Sequence, residues 1–267
     1  MPKLLIFGEY LCHQIGGAEK STYLLAQQLG RDPTLEVVPV SGLCSRYEGV
    51  RARLPYEGVV EIPVAQLRFR LPFLQHAINS GAASSWFRDA DADILLANAQ
   101  SAPMAINAFD GPSVYFIHDE MSLNVYRTYD RRAWKRVKFA GRWLVDLPFM
   151  LHYRSENRRA MQKAALVVAN SRYMARRAFE RMGVEAEVVY PQVDVRSLSA
   201  EEMPPPEERP FVMMVGDAEV KGVATFRRIA EAMPDLQFLA VGRSYTDHVE
   251  GNMTFRVTTN GGPGGLM

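Results

Sequence analysis

A chain of 267 residues, 48% apolar and 23% charged, has the composition of a soluble globular protein, with material for one large domain or two ordinary ones. Its formal net charge of +1 argues against a general nucleic-acid binder, and no apolar run approaches the roughly 20 residues that a membrane span needs. The two cysteines, Cys12 and Cys44, form no metal-type pair, and residues 1–15 carry no secretion signal, so both are expected as reduced thiols of a cytosolic protein.

The chain opens with Leu4-Leu5-Ile6-Phe7, an apolar run of the kind buried on both faces of a parallel sheet. It then loosens through residues 8–15 and reaches Gly16-Gly17-Ala18-Glu19. From there Ala18, Leu25 and Leu29 recur at helical spacing until Gly30 fits the position past a helix end. Two glycines ahead of a helix let the backbone approach a ligand closely, and the helix's free N–H groups favour an anion such as a phosphate or an acidic sugar substituent. A plain tight turn between strand and helix accounts for the same glycines.

Glu36–Val40 and Val59–Val64 are strand-like, with a loop-like stretch over 41–58. Leu67–Ser80 is ambiguous because Pro72 interrupts it. Ile94–Ala97 and Val114–Ile117 are short, buried-looking strands, and Leu166–Ala169 and Ala186–Tyr190 repeat that character. Between the last two, Ser171 caps a predicted helix that runs to Met182 and ends at Gly183. This alternation predicts an α/β fold, a parallel sheet with helices on both faces, over residues 1–198. Residues 199–210, rich in Pro and Glu, predict a semi-rigid linker. A second α/β unit starts at Phe211–Val215, continues through the loop Gly216–Gly222 and a helix to about Met233, and adds strands at Gln237–Val241 and Met253–Val257. Residues 211–267 are too few for a complete doubly wound domain of roughly 100 to 150 residues. The second unit is therefore expected to stop after about three strands, with an open edge and a disordered Gly-rich tail.

Several groups could carry chemistry. His118-Asp119 directly follows a predicted strand, so His118 falls at the ligand-facing end of the sheet, where it can donate to a sugar hydroxyl or stabilise developing charge. Lys221-Gly222 closes the loop after the second unit's first strand, and a lysine beside a helix N-terminus makes a local anion site. Asp89, Asp91 and Asp93 have the spacing of a metal-binding Asp-x-Asp, but they precede a strand and so lie at the wrong end of the sheet, which favours a solvated turn. Lys20-Ser21-Thr22 is no P-loop, because Glu19 stands where that motif needs glycine. Residues 127–159 hold ten basic and three acidic side chains. Within them Arg131, Lys135, Lys138 and Arg142 form a helical stripe flanked by Phe139 and Trp143, while Trp134, Val137, Ala140 and Leu144 can face a core. Such a stripe suits an anionic membrane surface, and equally an ordinary solvated helix face.

The Gly16-Gly17-Ala18-Glu19 loop followed by a Leu-Ala-x-x-Leu helix resembles the start of the retaining GT-B glycosyltransferases of family 4. The resemblance extends through Asp93-Ile94, His118-Asp119 and Ala169-Asn170-Ser171 to Val189-Tyr190-Pro191-Gln192-Val193-Asp194, then to Val215-Gly216 with Lys221-Gly222, and to Val241-Gly242. It implies two Rossmann-like doubly wound domains, the second incomplete here. The implied reaction moves a hexosyl group from a nucleotide-diphosphate sugar to a glycan or lipid-linked acceptor with retained configuration and without a metal cofactor. By the same resemblance, Gly16, Gly17, Gly216, Lys221 and Gly222 would hold the donor's diphosphate, and His118 would orient the transferred sugar. Glu9, Tyr10, His13 and Asp119 would lie on the acceptor side. Lipid-linked acceptors would suit a protein held at the inner face of a membrane by the stripe from Arg131 to Trp143. Two departures stand out: Asp217 replaces the arginine usual after the loop's glycine, and no Glu-x7-Glu segment follows to hold the donor's ribose and sugar. The alternatives are a non-catalytic relative that only binds, and a nucleotide-sugar epimerase of the same fold.

Overall fold

The computed structural model describes residues 1–9, 11, 17–43, 58–65, 67, 71–119, 133–191, 205, 208–217, 221–242 and 244–257. Tyr10, Cys12, His13, Gly16, Cys44, Arg131, residues 199–204 of the linker and the Gly-rich tail lie outside these, as do the side chains of Trp134, Lys135, Lys138 and Phe139. The chain divides into two compact units, Met1–Arg127 with Val137–Val193, and Thr128–Arg136 with Asp194–Met267.

The elements up to residue 193 run β1 (Lys3–Gly8), α1 (Gly17–Leu29), β2 (Glu36–Leu43), β3 (Val60–Pro63), α2 (Pro72–Arg88), β4 (Ile94–Asn98), α3 (Ala102–Ile106), β5 (Ser113–Ile117), α4 (Ala133–Lys163), β6 (Leu166–Ala169), α5 (Arg172–Met182) and β7 (Glu187–Val188), all in the first unit except the opening residues 133–136 of α4. The seven strands form one parallel sheet in the order β3-β2-β1-β4-β5-β6-β7. This is the doubly wound arrangement, with the order reversing between β1 and β4. The period-2 alternation of each strand divides the core into two layers. Leu5, Phe7, Leu95, Ala97, Tyr115 and Ile117 meet Phe87, Met104, Ile106, Met161 and Met174 on one face. Leu4, Ile6, Leu96 and Phe116 meet Leu25, Ala26 and Leu29 of α1 on the other.

Two local outcomes differ from the sequence prediction. Pro72 does not interrupt a helix but opens α2, since a first-turn residue needs no backbone donor. The next two N–H groups, of Phe73 and Leu74, donate to the Asp146 carboxylate on α4 at 3.3 and 2.9 Å. Val137, Ala140 and Leu144 point away from the core, because α4 buries its Asp146-Tyr153-Asn157-Ala160 side instead. By contrast, α5 is as predicted: Ser171 Oγ accepts from the Met174 N–H, and Gly183 ends the helix at φ 70°.

The second unit contains β8 (Val212–Val215), α6 (Val223–Ala232), β9 (Phe238–Gly242), β10 (His248–Glu250) and β11 (Met253–Val257), in the sheet order β10-β11-β9-β8. β8, β9 and β11 run parallel and β10 runs antiparallel to β11. Its core is Phe226, Ala230, Phe238, Ala240, Met253 and Phe255. The Asn252 amide donates to the carbonyls of Ala230, Met233 and Leu236, which closes the carboxyl end of α6 onto the sheet. β8 is an edge strand, and Val212, Met213 and Val215 are exposed.

Candidate functional site

In an open parallel sheet the crevice forms outside the carboxyl ends of the strands where their order reverses, here β1 and β4. Gly8-Glu9 leaves β1 at that point and Asn98 ends β4. Asn98 Nδ2 donates to Thr22 Oγ1 on α1 at 2.6 Å, and Thr22 Oγ1 donates to the Ala18 carbonyl at 2.9 Å. Asn98 Oδ1 is buried and, among the described residues, has no hydrogen-bond partner. Gly17 is the first residue of α1, so the N–H groups at this end have no partner within the helix, but Glu19 in the first turn opposes an anion there.

Glu9 is tied down on all sides. Its N–H donates to Ser101 Oγ at 3.2 Å, its carbonyl accepts from the Gly42 N–H at 3.0 Å, and its Oε1 accepts from Asn79 at 2.5 Å and Gln75 at 3.4 Å. A side chain at position 42 would collide with the Glu9 carbonyl and with Val64, so the approach requires glycine.

His118 stands one residue beyond β5. Its ring packs on Phe116 with centroids 4.1 Å apart, and its carbonyl accepts from Asn170 Nδ2 at 2.7 Å. Burial pulls the imidazole down to about 4, against the opposing charge of Asp119, so the ring is neutral at physiological pH. Its Nε2 is buried and, among the described residues, has no hydrogen-bond partner. A neutral imidazole nitrogen left unmatched beside the sheet's ligand-facing end can donate to, or accept from, a hydroxyl that enters.

Behind it lies a layer of partnered polar groups. Tyr115 donates to Asn157 Oδ1 at 2.7 Å and Tyr153 donates to the Gln100 carbonyl at 3.2 Å, and burial pushes both phenols up. His76 Nε2 lies 3.2 Å from Glu156 Oε2, and that hydrogen bond holds the Glu156 carboxyl below its ordinary value. Burial raises Asp146 despite the two N–H groups it caps and the charge of Arg142. Arg142 and Trp143 are half-buried, so the described part of the basic stripe is turned partly inward.

The second unit's loop is shaped by backbone. Gly216 has φ 122° and Gly222, the N-cap of α6, has φ 86°, values that favour glycine. Lys221 is exposed beside Gly216 and, among the described residues, has no hydrogen bond or ion pair. Asp217, whose charge should repel a diphosphate, is turned toward the loop after β9: its Oδ2 accepts from Ser244 N at 2.6 Å and Ser244 Oγ at 2.7 Å. Gly242 leaves room for that contact, since a Cβ there would lie 2.8 Å from Asp217 Cβ.

The structure thus brings Glu9, Gly17, His118 and Asp119 to the carboxyl end of the first sheet, and Gly216, Lys221 and Gly222 to that of the second. It leaves the aspartates at the amino end: Asp93 Oδ2 accepts from Lys3 N at 2.7 Å and Asp91 lies 3.8 Å from Lys3 Nζ. Among the described residues no cluster of His, Cys, Asp or Glu could hold a metal, and no helix is long and apolar enough to cross a membrane. Sequence reasoning missed Asn98 and Asn79. Asn98 had a readable signal, a polar residue closing an apolar run, whereas Asn79 stands in a helix with no such mark.

Residues 15–197 match a family model described as Glycosyltransferase Family 4. No curated protein matches the chain by sequence. Among solved structures, the apo lipopolysaccharide outer core galactosyltransferase WaaB is similar at TM-score 0.51 and 14% identity, over 91% of this chain and 61% of that one. The chain therefore spans about three-fifths of that transferase's length. Sucrose-phosphate synthase from Thermosynechococcus elongatus is similar at TM-score 0.55 and 13% identity, over 96% of this chain and 70% of that one. A UDP-glucosyltransferase from Polygonum tinctorium, in complex with 3,4-dichloroaniline, is similar at TM-score 0.52 and 13% identity, over 96% and 71%. These likenesses establish the fold, an α/β fold of the GT-B type.

Proposed function

The chain belongs to Glycosyltransferase Family 4, and from that premise we propose that the protein moves a hexosyl group from a nucleotide-diphosphate sugar to a glycan or lipid-linked acceptor, with retention of configuration. The bond from the anomeric carbon to the diphosphate oxygen breaks, and an acceptor hydroxyl oxygen takes its place on the same face of the sugar. No metal takes part. Charge builds on the departing diphosphate, so fixed N–H donors and a cation aimed at it supply most of the rate. In the second unit Lys221 and the N–H groups at the start of α6 beyond Gly222 have that role, and Gly216 gives the loop its turn; in the first unit we assign donor binding to the Gly16-Gly17 backbone. His118, neutral and with Nε2 unmatched, orients the transferred sugar through a hydroxyl. Glu9, Tyr10, His13 and Asp119 serve the acceptor, with Glu9 held in place by Asn79 and Gln75. A lipid-linked acceptor would bring the protein to the cytoplasmic face of a membrane, with the segment from Arg131 through Lys135, Lys138 and Phe139 to Trp143 against the anionic surface.

The observation that carries this reading is His118, a buried polar atom without a partner among the described residues, at the ligand-facing end of a doubly wound sheet. Buried polar atoms in folded proteins are nearly all partnered, so an unmatched one at a ligand-facing end is a place where a ligand can supply the partner. Product analysis with and without an acceptor tests it. Transfer predicts a new glycoside that forms only with acceptor and keeps the donor's anomeric configuration. A sugar epimer formed without acceptor, or an inverted glycoside, would contradict it.

A further inference from the structure

We propose that the cleft between α4 and α5 of the first unit is a site for the phosphate headgroup of an anionic lipid. The cleft has a volume of about 270 Å³ and is lined by Leu151, Arg154, Ser155 and Arg158 of α4 and by Arg181 and Met182 of α5. Arg154 and Arg158 are one turn apart and so project from one side of α4. Among the described residues, none of the three guanidinium groups has a hydrogen bond or an ion pair, whereas Arg176 and Arg177 on the same α5 pair with Glu180. A cation in the last turn of α5 also suits that helix's dipole, which accounts for Arg181 but not for the two on α4. Three like charges around one small space repel each other. A phosphate removes that repulsion, and its oxygens match the planar donor fork of each guanidinium.

The walls identify the bearer of the phosphate as a lipid. Leu151 and Met182 put apolar surface beside the three guanidinium groups in the lining of the cleft. Upstream on α4, Val137, Gly141, Leu144, Pro148 and Leu151 follow one another at steps of three and four residues, so they form one stripe that continues into Ser155 and Arg158. Val137, Leu144 and Leu151 are 73%, 63% and 56% exposed, far outside what a core-facing stripe allows. An outward apolar stripe that runs into an arginine pocket matches the acyl and headgroup layers of one leaflet. Because α5 returns the chain to the start of parallel β7, its last turn lies at the opposite end of the sheet from His118. The site is thus separate from the proposed sugar transfer and stands whether or not that transfer occurs.

Titration of the full chain with dihexanoyl phosphatidic acid, kept below its micelle concentration, and with inorganic phosphate tests the assignment. The soluble lipid should bind at least about tenfold more tightly than inorganic phosphate, because its acyl carbons add apolar burial. R154Q/R158Q/R181Q should weaken it by about tenfold or more, and R176Q/R177Q should leave it unchanged. All five arginines lie outside the core, and circular dichroism checks each variant's fold. R154Q alone should give a smaller loss in the same direction. Equal affinity for lipid and inorganic phosphate would make this a free-phosphate site and overturn the assignment. So would unchanged binding in the triple variant, no binding by folded wild type, or a dimer in light scattering that hides the stripe.

Discussion

The two sheets end in loops built on opposite principles. At the carboxyl end of the first, positions are fixed by side chains that hold each other: Asn79 and Gln75 on Glu9, Thr22 on Asn98, Asn157 on Tyr115. His118 Nε2 and Asn98 Oδ1 there have no partner among the described residues. At the carboxyl end of the second, the shape comes from two glycines at positive φ and one carboxylate, Asp217, bound to Ser244; the cation, Lys221, stands in solvent. Burial sets the chemistry of the first region and backbone conformation that of the second. Substitutions in the first should therefore disturb folding and function together, while those in the second should alter ligand handling and leave stability nearly intact.

Lys221→Ala gives the sharpest test of that contrast. On the proposed function, losing a cation aimed at the diphosphate should lower kcat about 100-fold or more, with no change in the melting midpoint. A midpoint that falls along with the rate would show the second loop to be as structurally coupled as the first.

His118 should show the opposite behaviour. Its imidazole has a pKa of about 4 in the fold and about 6.5 in the unfolded chain, so the unfolded state binds the extra proton between these values. Stability from this group is complete above pH 6.5 and is lost as pH falls through that window, by about 3 kcal/mol at pH 4. H118Q should remove that part of the acid sensitivity and also reduce transfer. Urea unfolding at pH 7 and pH 4.5 checks it, and an unchanged pH slope in the variant would break the link between burial and chemistry.

A smaller effect is expected at Asp146. D146A leaves two N–H groups at the start of α2 without their acceptor and should cost about 1–2 kcal/mol. D146N keeps one acceptor oxygen and removes a buried charge, so it should cost less than half of that.

Much of this organisation was legible in the sequence because it is local. The apolar runs of β1, β4, β5 and β6, the Ser171 cap and the Gly183 stop each depend on neighbours within a few residues. What could not be read depends on distant partners. Pro72 looked like a break because the acceptor that completes α2 lies 73 residues beyond Phe73. Asp217 looked like a repulsive charge because Ser244, 27 residues away, takes up its carboxylate. β10 is three exposed residues that owe their strand to pairing with β11, and no apolar alternation marks it. Val137 and Leu144 looked like core because helical spacing cannot tell which apolar stripe faces inward when α4 buries polar Asp146 and Asn157. At the site, the position of His118 was readable from its strand, but the missing partner at Nε2 was not.

The most direct measurement is isothermal titration of the full chain with a panel of nucleotide-diphosphate sugars. Sugar transfer predicts saturable heat with at least one donor, weakened in the Lys221→Ala protein. No heat at millimolar donor from well-folded wild-type protein would contradict it and leave a non-catalytic member of the family.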